Sequence, residues 1–218
     1  MSSVRHDNEG YRRFREALQS GRLTAGMVVT QNELCDLLGL SLSPLRETLV
    51  LLEEFGLVEI KPRTGIRIVY PEVAFIRENY QFRIMIETHA LRTCGDIVTV
   101  EWLAIMRARH EECHAEIGGQ MPFEEAKSRL ILVDHQFHRD IVSLLENGAI
   151  LATHARLQEN LGMARRVHQA GMYRAQLVST MEEHLRVITA LEAGDVPRAI
   201  EALEAHFRAS THRTFAAG

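Results

Sequence analysis

The sequence is poor in cysteine, proline and aromatic residues, and it lacks any long apolar run. Its three cysteines, Cys35, Cys94 and Cys113, form an odd set without CxxC spacing, which excludes a disulfide-stapled fold and fits a reducing compartment. No apolar stretch approaches the ~18 residues of a membrane helix, and Met1 to Gly10 offers no apolar core for a secretion signal. The expected location is the cytoplasm, with no membrane partner. Positive charge is also in short supply. With 25 Lys and Arg against 29 Asp and Glu, the net charge is −4, so any reader of nucleic acid must work through local patches rather than a global basic field. Apolar residues, by contrast, fill 46% of positions, enough for one large domain or two small ones and too many for a disordered chain.

Charge and histidine are unevenly spread. Residues 1–70 carry nine basic and nine acidic side chains, so the acid excess belongs to residues 71–218, and only His6 of the 11 histidines precedes residue 71. Turn residues are frequent up to Tyr70 and Pro71, and long helical patterns run beyond. Two domains are expected, 1–70 and 71–218.

In the first, Tyr11, Phe14 and Leu18 mark one face of a helix over 11–20. Leu34, Leu37 and Leu38 mark a second over 31–38, stopped by Gly39. Ser43 reads as the N-cap of a third, with Pro44 at its first position and Gly56 at its end. Residues 57–61 and 66–69 are β-prone and joined by Pro62, Arg63, Thr64 and Gly65, a hairpin with turn chemistry at its tip. Helix, glycine turn, helix and hairpin make a winged helix-turn-helix. Beyond it, six helices over 72–94, 99–118, 122–146, 149–168, 172–192 and 196–213 are separated by glycine breaks. The fold class is therefore mainly α, a winged helix-turn-helix followed by an all-α antiparallel six-helix bundle.

Arg46 stands in the first turn of the third helix, where the helix dipole favours an acid by ~0.3–1 kcal/mol. A cation placed against that preference suits a guanine edge or a phosphate in the major groove. Ser41 and Ser43 add candidate contacts, and Arg63, Thr64 and Gly65 at the hairpin tip are placed for the neighbouring minor groove or backbone. Taken singly, each is also an ordinary surface residue or cap; the joint arrangement points to DNA. The stretch from Glu33 to Thr48, ELCDLLGLSLSPLRET, with its continuation to Val69, resembles the winged helix-turn-helix of GntR-family bacterial transcription regulators, matching its turn at Gly39, Ser41, Pro44, Arg46 and Glu47. Leu42 departs from the pattern where the family usually carries a DNA-contacting arginine. Asn32 stands where several members carry arginine and can still read adenine or bind phosphate.

A second constellation lies in the bundle. Asp134 and His138 are four apart on one helix face. Gly194 and Asp195 break two helices, and His184 and His206 each lie 11 residues from Asp195, so they stand level across an antiparallel hairpin. Three imidazoles and a carboxylate form an N3O set suited to a divalent metal: zinc first, with nickel, manganese and iron as alternatives. His110 and His114 are also four apart, but Glu111, Glu112 and Glu116 give that stretch a solvated look.

Residues 71–218 resemble the FCD ligand-binding domain of the FadR branch of that family, with Asp134, Phe137 and His138 in its Asp-x-x-Phe-His signature and His184 and His206 at its two later histidines. Six helices rather than seven place it nearer the VanR subgroup. The resemblance implies an effector site in which Arg83, beside Glu87, faces a carboxylate ligand, with Asn160, Arg165 and Arg166 as further candidates; Arg83 equally suits an ion pair with Glu87 at i, i+4. It also implies a homodimer on double-stranded operator DNA, responsive to a small organic acid and not an enzyme. Two other functions fit parts of the pattern. A metal-dependent enzyme acting on a small acid would use the same ligands, although no HExxH motif or adjacent general base is present. A helical interaction module would lack DNA binding.

Overall fold

In a computed structural model of the chain, residues 9–54, 56–61, 64–69, 73–168 and 173–215 are described. Among them the order is α1 (Glu9–Gln19), β1 (Val28–Val29), α2 (Gln31–Leu38), α3 (Leu42–Glu54), β2 (Val58–Lys61), β3 (Gly65–Ile68), α4 (Val73–Cys94), α5 (Val100–Gly118), α6 (Phe123–Ser143), α7 (Gly148–His168), α8 (Arg174–Glu192) and α9 (Val196–Phe215). No helix among the described residues is long and apolar enough to cross a membrane. The chain divides into two compact units, Met1–Ile76 with Asn160–Val167, and Arg77–Glu159 with His168–Gly218.

The first unit follows its local chemistry closely. The Thr30 hydroxyl accepts from the Glu33 amide at 3.2 Å while the Glu33 carboxylate accepts from the Thr30 amide at 2.7 Å, a reciprocal cap that starts α2. Gly39, at φ 61°, ends it. The third helix begins at Leu42, with the Leu45 amide bonded to the Ser41 carbonyl at 3.1 Å, so Ser43 is inside the first turn and is not the cap. Proline is tolerated throughout a first turn because those amides have no helical acceptor, so Pro44 does not fix the start. Phe14, Leu34, Leu45, Leu52 and Ile66 form the buried centre of this unit. Gly10 lets α1 approach α3: a Cβ there would lie 2.0 Å from Thr48 Oγ1.

The hairpin is part of a three-stranded antiparallel sheet in the order β1-β3-β2. The two valines of β1, pairing Val28 with Arg67 and Val29 with Ile66, are too short a run to announce a strand. Gly65 has φ 114°, and a Cβ on it would meet the Val29 carbonyl oxygen at 2.8 Å, so both the turn and the docking of β1 need glycine there.

In the second unit side-chain caps start α5, α7 and α9. Thr99 accepts from the Trp102 amide at 3.1 Å, Asn147 from the Ala149 and Ile150 amides at 3.0 and 3.1 Å, and Asp195 from the Arg198 amide at 3.0 Å. Helix α6 stops at Ser143, short of the expected 146, because the chain must turn before the Asn147 cap; Glu146 adopts φ 50° in that turn. Leu145 therefore leaves the helix and, with Phe82, Met85, Ile86 and Ile150, lines an apolar cleft of about 560 Å³. Cys113, Leu130, Val133, Leu177 and Met181 pack one part of the bundle core.

Gly65→Ala is expected to cost about 1–3 kcal/mol, the range for a residue held in a disfavoured backbone region. The readout is hydrogen exchange of the Gly26 and Ile68 amides, which donate at 2.8 Å to the Ile68 and Met27 carbonyls and tie the segment just before β1 to β3. Exchange as slow as in the wild type would contradict this account of the glycine.

Candidate functional site

The bundle gathers its chemistry around four buried side chains. Asp134 and His138 come from α6, His184 from α8 and His206 from α9, and one ligand atom from each lies within 4.8 Å of all the others. His138 Nε2 and His184 Nε2 each lie 3.6 Å from Asp134 Oδ1. Two ligands of one first-row ion, with bonds of about 2.1 Å, keep a similar spacing of about 3–3.5 Å. The rings of His184 and His206 are 4.5 Å apart, as their equal distance from the turn at Asp195 required. The Phe137 ring stacks on His184 at 4.0 Å and walls the group on one side.

Second partners fix the histidines. The Nδ1 of His138 donates to Glu87 Oε2 at 2.5 Å, and that of His206 donates to Glu183 Oε2 at 2.8 Å. With the proton held on Nδ1, each Nε2 is left as a lone pair facing inward, the arrangement by which a carboxylate orients a metal-binding histidine. Glu183 also receives two bonds of 2.7 Å from Arg213. Burial raises the Glu183 pKa, but Arg213 and His206 outweigh it and bring the carboxyl down to about 2. Glu87 is fully buried, which works against its charge. His138, Arg83 and His154 nonetheless hold its pKa well below the ordinary carboxylate value. The Nε2 of His154 donates to Glu87 Oε1 at 2.7 Å, and Arg83 Nε donates to the same oxygen at 2.9 Å.

Buried nitrogens without partners are the test of whether a metal fits. Among the described residues, His138 Nε2, His184 Nε2 and His206 Nε2 all lack a hydrogen bond, and all three are buried beside the Asp134 carboxylate. Such groups are rare in protein cores because each costs about 1–3 kcal/mol of lost hydration. Burial, then the neighbouring charges, pushes His184 well below the ordinary imidazole pKa, and burial pushes His206 down to about 4, so both are neutral and free to ligate at neutral pH. The residues present fit a divalent ion with borderline preferences.

Sequence reasoning missed His110, His154, Glu183 and Arg213 in this network. His110, assigned to a solvated stretch, is fully buried: the glutamates around it take the outer face of α5 while His110 and Cys113 take the inner one. Burial raises the Cys113 thiol to about 11, which leaves it unsuited as a thiolate ligand. His154 and Glu183 carried no spacing signal, since their partners come from other helices. Among the effector candidates, Arg83 is buried and forms the expected ion pair with Glu87, yet its Nη2 has no hydrogen-bond partner among the described residues. Asn160 is half-buried on α7. Arg165 and Arg166 are in the same helix, with side chains outside the described residues.

In the first unit, Asn32, Ser41, Ser43, Arg46 and Thr64 are exposed and Gly65 is half-buried, while Arg63 lies outside the described residues. Because α3 starts at Leu42, Arg46 is fifth in the helix and not third. Elsewhere in this unit Arg12 pairs with Glu9 and Glu16, Arg13 and Arg22 donate to backbone carbonyls, and Arg67 pairs with Glu59. Arg46 makes no such contact among the described residues. Leu42 is exposed at 39%, on the surface where an arginine was to be expected.

Residues 8–68 match the family described as "Bacterial regulatory proteins, gntR family" and residues 78–209 match the "FCD domain". The chain is 24% identical over 197 residues to the Bacillus subtilis "HTH-type transcriptional regulator YdhC", covering 90% of this chain and 85% of the relative. It shares its fold with E. coli McbR/YncC, at a TM-score of 0.74 and 18% identity over 99% of each chain. It is also similar to a solved structure titled as the metal-free FCD domain of the regulator TM0439, at a TM-score of 0.56 and 20% identity, covering 66% of this chain and 94% of that one.

The buried imidazoles give the metal-stripped protein a defined acid sensitivity. His110 and His206 are pushed down by burial to about 4 from an ordinary 6.5, so the unfolded chain binds protons that the folded one refuses. Stability is expected to be full above pH 6.5 and to fall as the pH drops from 6.5 towards 4. Urea unfolding of stripped protein across that window checks it; a flat profile would contradict neutral burial.

Proposed function

The chain belongs to the gntR family of bacterial regulatory proteins and carries an FCD domain, and from that premise we propose a metal-dependent, ligand-responsive mode of action. It is a transcription regulator and not an enzyme, as the family and the names of its relatives indicate. In this reading Asp134, His138, His184 and His206 hold one divalent metal, zinc before nickel, manganese or iron. The observation that carries it is the set of three buried Nε2 atoms, without a hydrogen bond among the described residues, beside one carboxylate. The bound ion would supply a Lewis-acidic centre with positions open to an anionic ligand.

The effector is a small carboxylate. Arg83 supports this directly, because a guanidinium that gives one nitrogen to Glu87 and keeps Nη2 buried and unpaired is prepared to clamp an anion. Asn160 and Arg165 stay as secondary contacts in this reading.

The protein acts in the cytoplasm as a homodimer on double-stranded operator DNA, each copy reading one half-site. An apolar cleft lined by Phe82 and Met85, which are 41% and 60% exposed, gives a second copy a surface to cover. The six helices α4 to α9 favour the VanR placement within the family. Arg46 reads a base edge or phosphate, supported by Asn32, Ser41 and Ser43, with Arg63, Thr64 and Gly65 approaching from the wing. Leucine at position 42 removes one cationic contact, so affinity for random DNA is low and a matched operator is required. Regulation then reduces to linkage: an effector changes operator affinity only by its differential affinity for two arrangements of the dimer.

Arg46→Ala is expected to weaken operator binding by about 1–3 kcal/mol in a gel-shift titration at physiological salt. Undiminished retention would remove Arg46 from the interface. Calorimetry with a panel of small organic acids tests the other half. Heat of binding is expected for metal-loaded wild type and should be absent for an Asp134→Ala, His184→Ala variant; equal binding by both would overturn the metal-anchored effector site.

A further inference from the structure

His138 and His206 each have a carboxylate behind Nδ1, whereas His184 has none. Both of its ring nitrogens are buried without a hydrogen bond among the described residues. If Nε2, the atom 3.6 Å from Asp134, faces the metal, then Nδ1 must carry the ring proton. That proton needs an acceptor.

The complementary vacancy is on α5. His110 is fully buried, and its Nδ1 lies 2.6 Å from the Met106 carbonyl oxygen. A carbonyl can only accept, so the His110 proton is on Nδ1 and its Nε2 is a lone pair. That Nε2 is buried and unpartnered too. The His110 and His184 rings meet edge to face at 5.3 Å between centroids and 69° between planes, and both rest against Phe137, at 5.1 and 4.0 Å. One ring thus needs an acceptor and its neighbour holds an acceptor without a donor. We propose that His110 is the positioning residue for His184: its Nε2 accepts the His184 Nδ1 proton and so presents His184 Nε2 to the metal. The inference rests on the metal reading given above and extends it to a neutral imidazole serving where Glu87 and Glu183 serve the other two ligands. Carboxylates draw their histidines towards imidazolate character, and a neutral acceptor does so less. His184 is then the weakest donor of the three and the ligand most dependent on a single hydrogen bond.

Cobalt(II) is the probe, because it reports its ligands by hyperfine-shifted proton signals. In the Co²⁺-loaded full-length chain, three shifted, slowly exchanging Nδ1–H signals are expected. His110→Phe should make the His184 signal exchange rapidly and lower Co²⁺ affinity by about 10–100-fold, the range for loss of a ligand's outer partner. The His138 and His206 signals should persist and show that the bundle is intact. His110→Gln, which offers an amide oxygen, should restore the His184 signal and most of the affinity. An unchanged His184 signal in His110→Phe overturns the proposal, as does a His110→Gln variant no better than His110→Phe. In the wild type alone, a long-range ¹H–¹⁵N correlation placing the His110 proton on Nε2 would also overturn it. Wild type that takes up no Co²⁺ overturns the metal reading itself, whereas uptake with an unaffected His110→Phe variant overturns only the role of His110.

Discussion

The second unit is organised around a cost: imidazole nitrogens have been taken out of water and given no hydrogen-bond partner among the described residues. An apolar core with leucines at these positions would avoid that cost. Here His138, His184 and His206 sit at or below 1% exposure with Nε2 unpaired, and Asp134 is buried beside them. Each of the six helices α4 to α9 contributes to the group or to its immediate support, through Glu87, His110, Asp134, His154, Glu183 and His206 respectively. Helix packing holds the cluster, and a ligand that joins the four side chains would in turn tie together α6, α8 and α9. On the proposed reading, ligand occupancy and bundle geometry would be coupled for that reason, which is the coupling a ligand-responsive regulator requires.

Charge is organised by the same logic of pairing. Glu87 carries three donors and Glu183 three, so neither buried carboxylate is left bare. In the first unit, Arg12 and Arg67 are committed to glutamates and Arg13 and Arg22 to helix-end carbonyls. Arg46 is exposed and enters none of these pairings among the described residues.

Much of this was legible in the sequence, and the parts that were not share a physical reason. Leucine spacing and Gly39 located α2 to the residue. Equal spacing of His184 and His206 about Asp195 placed them level, because an antiparallel hairpin preserves distance from its turn. Asp134 and His138 shared a helix face by the same kind of local rule. The cap of α3 was read two residues late because proline marks a first turn without marking its first position. Strand β1 was invisible because Val28 and Val29 are a strand only through their bonds to β3. Likewise the pairing of Glu183 with His206, of His154 with Glu87, and the burial of His110 depend on how helices face one another across the bundle. Local pattern determines which residues share an element; which elements share a core is decided by packing.

The central claim is that the Asp134, His138, His184 and His206 cluster is a metal site. It is tested most directly by an anomalous difference map at the zinc edge, from crystals of the full-length protein purified without chelator and soaked with zinc. The account predicts one strong peak per chain at about 2.0–2.2 Å from the three Nε2 atoms and the Asp134 carboxylate. Ordered side chains at that position with no peak, or a peak bound only at surface histidines such as His114, would contradict it.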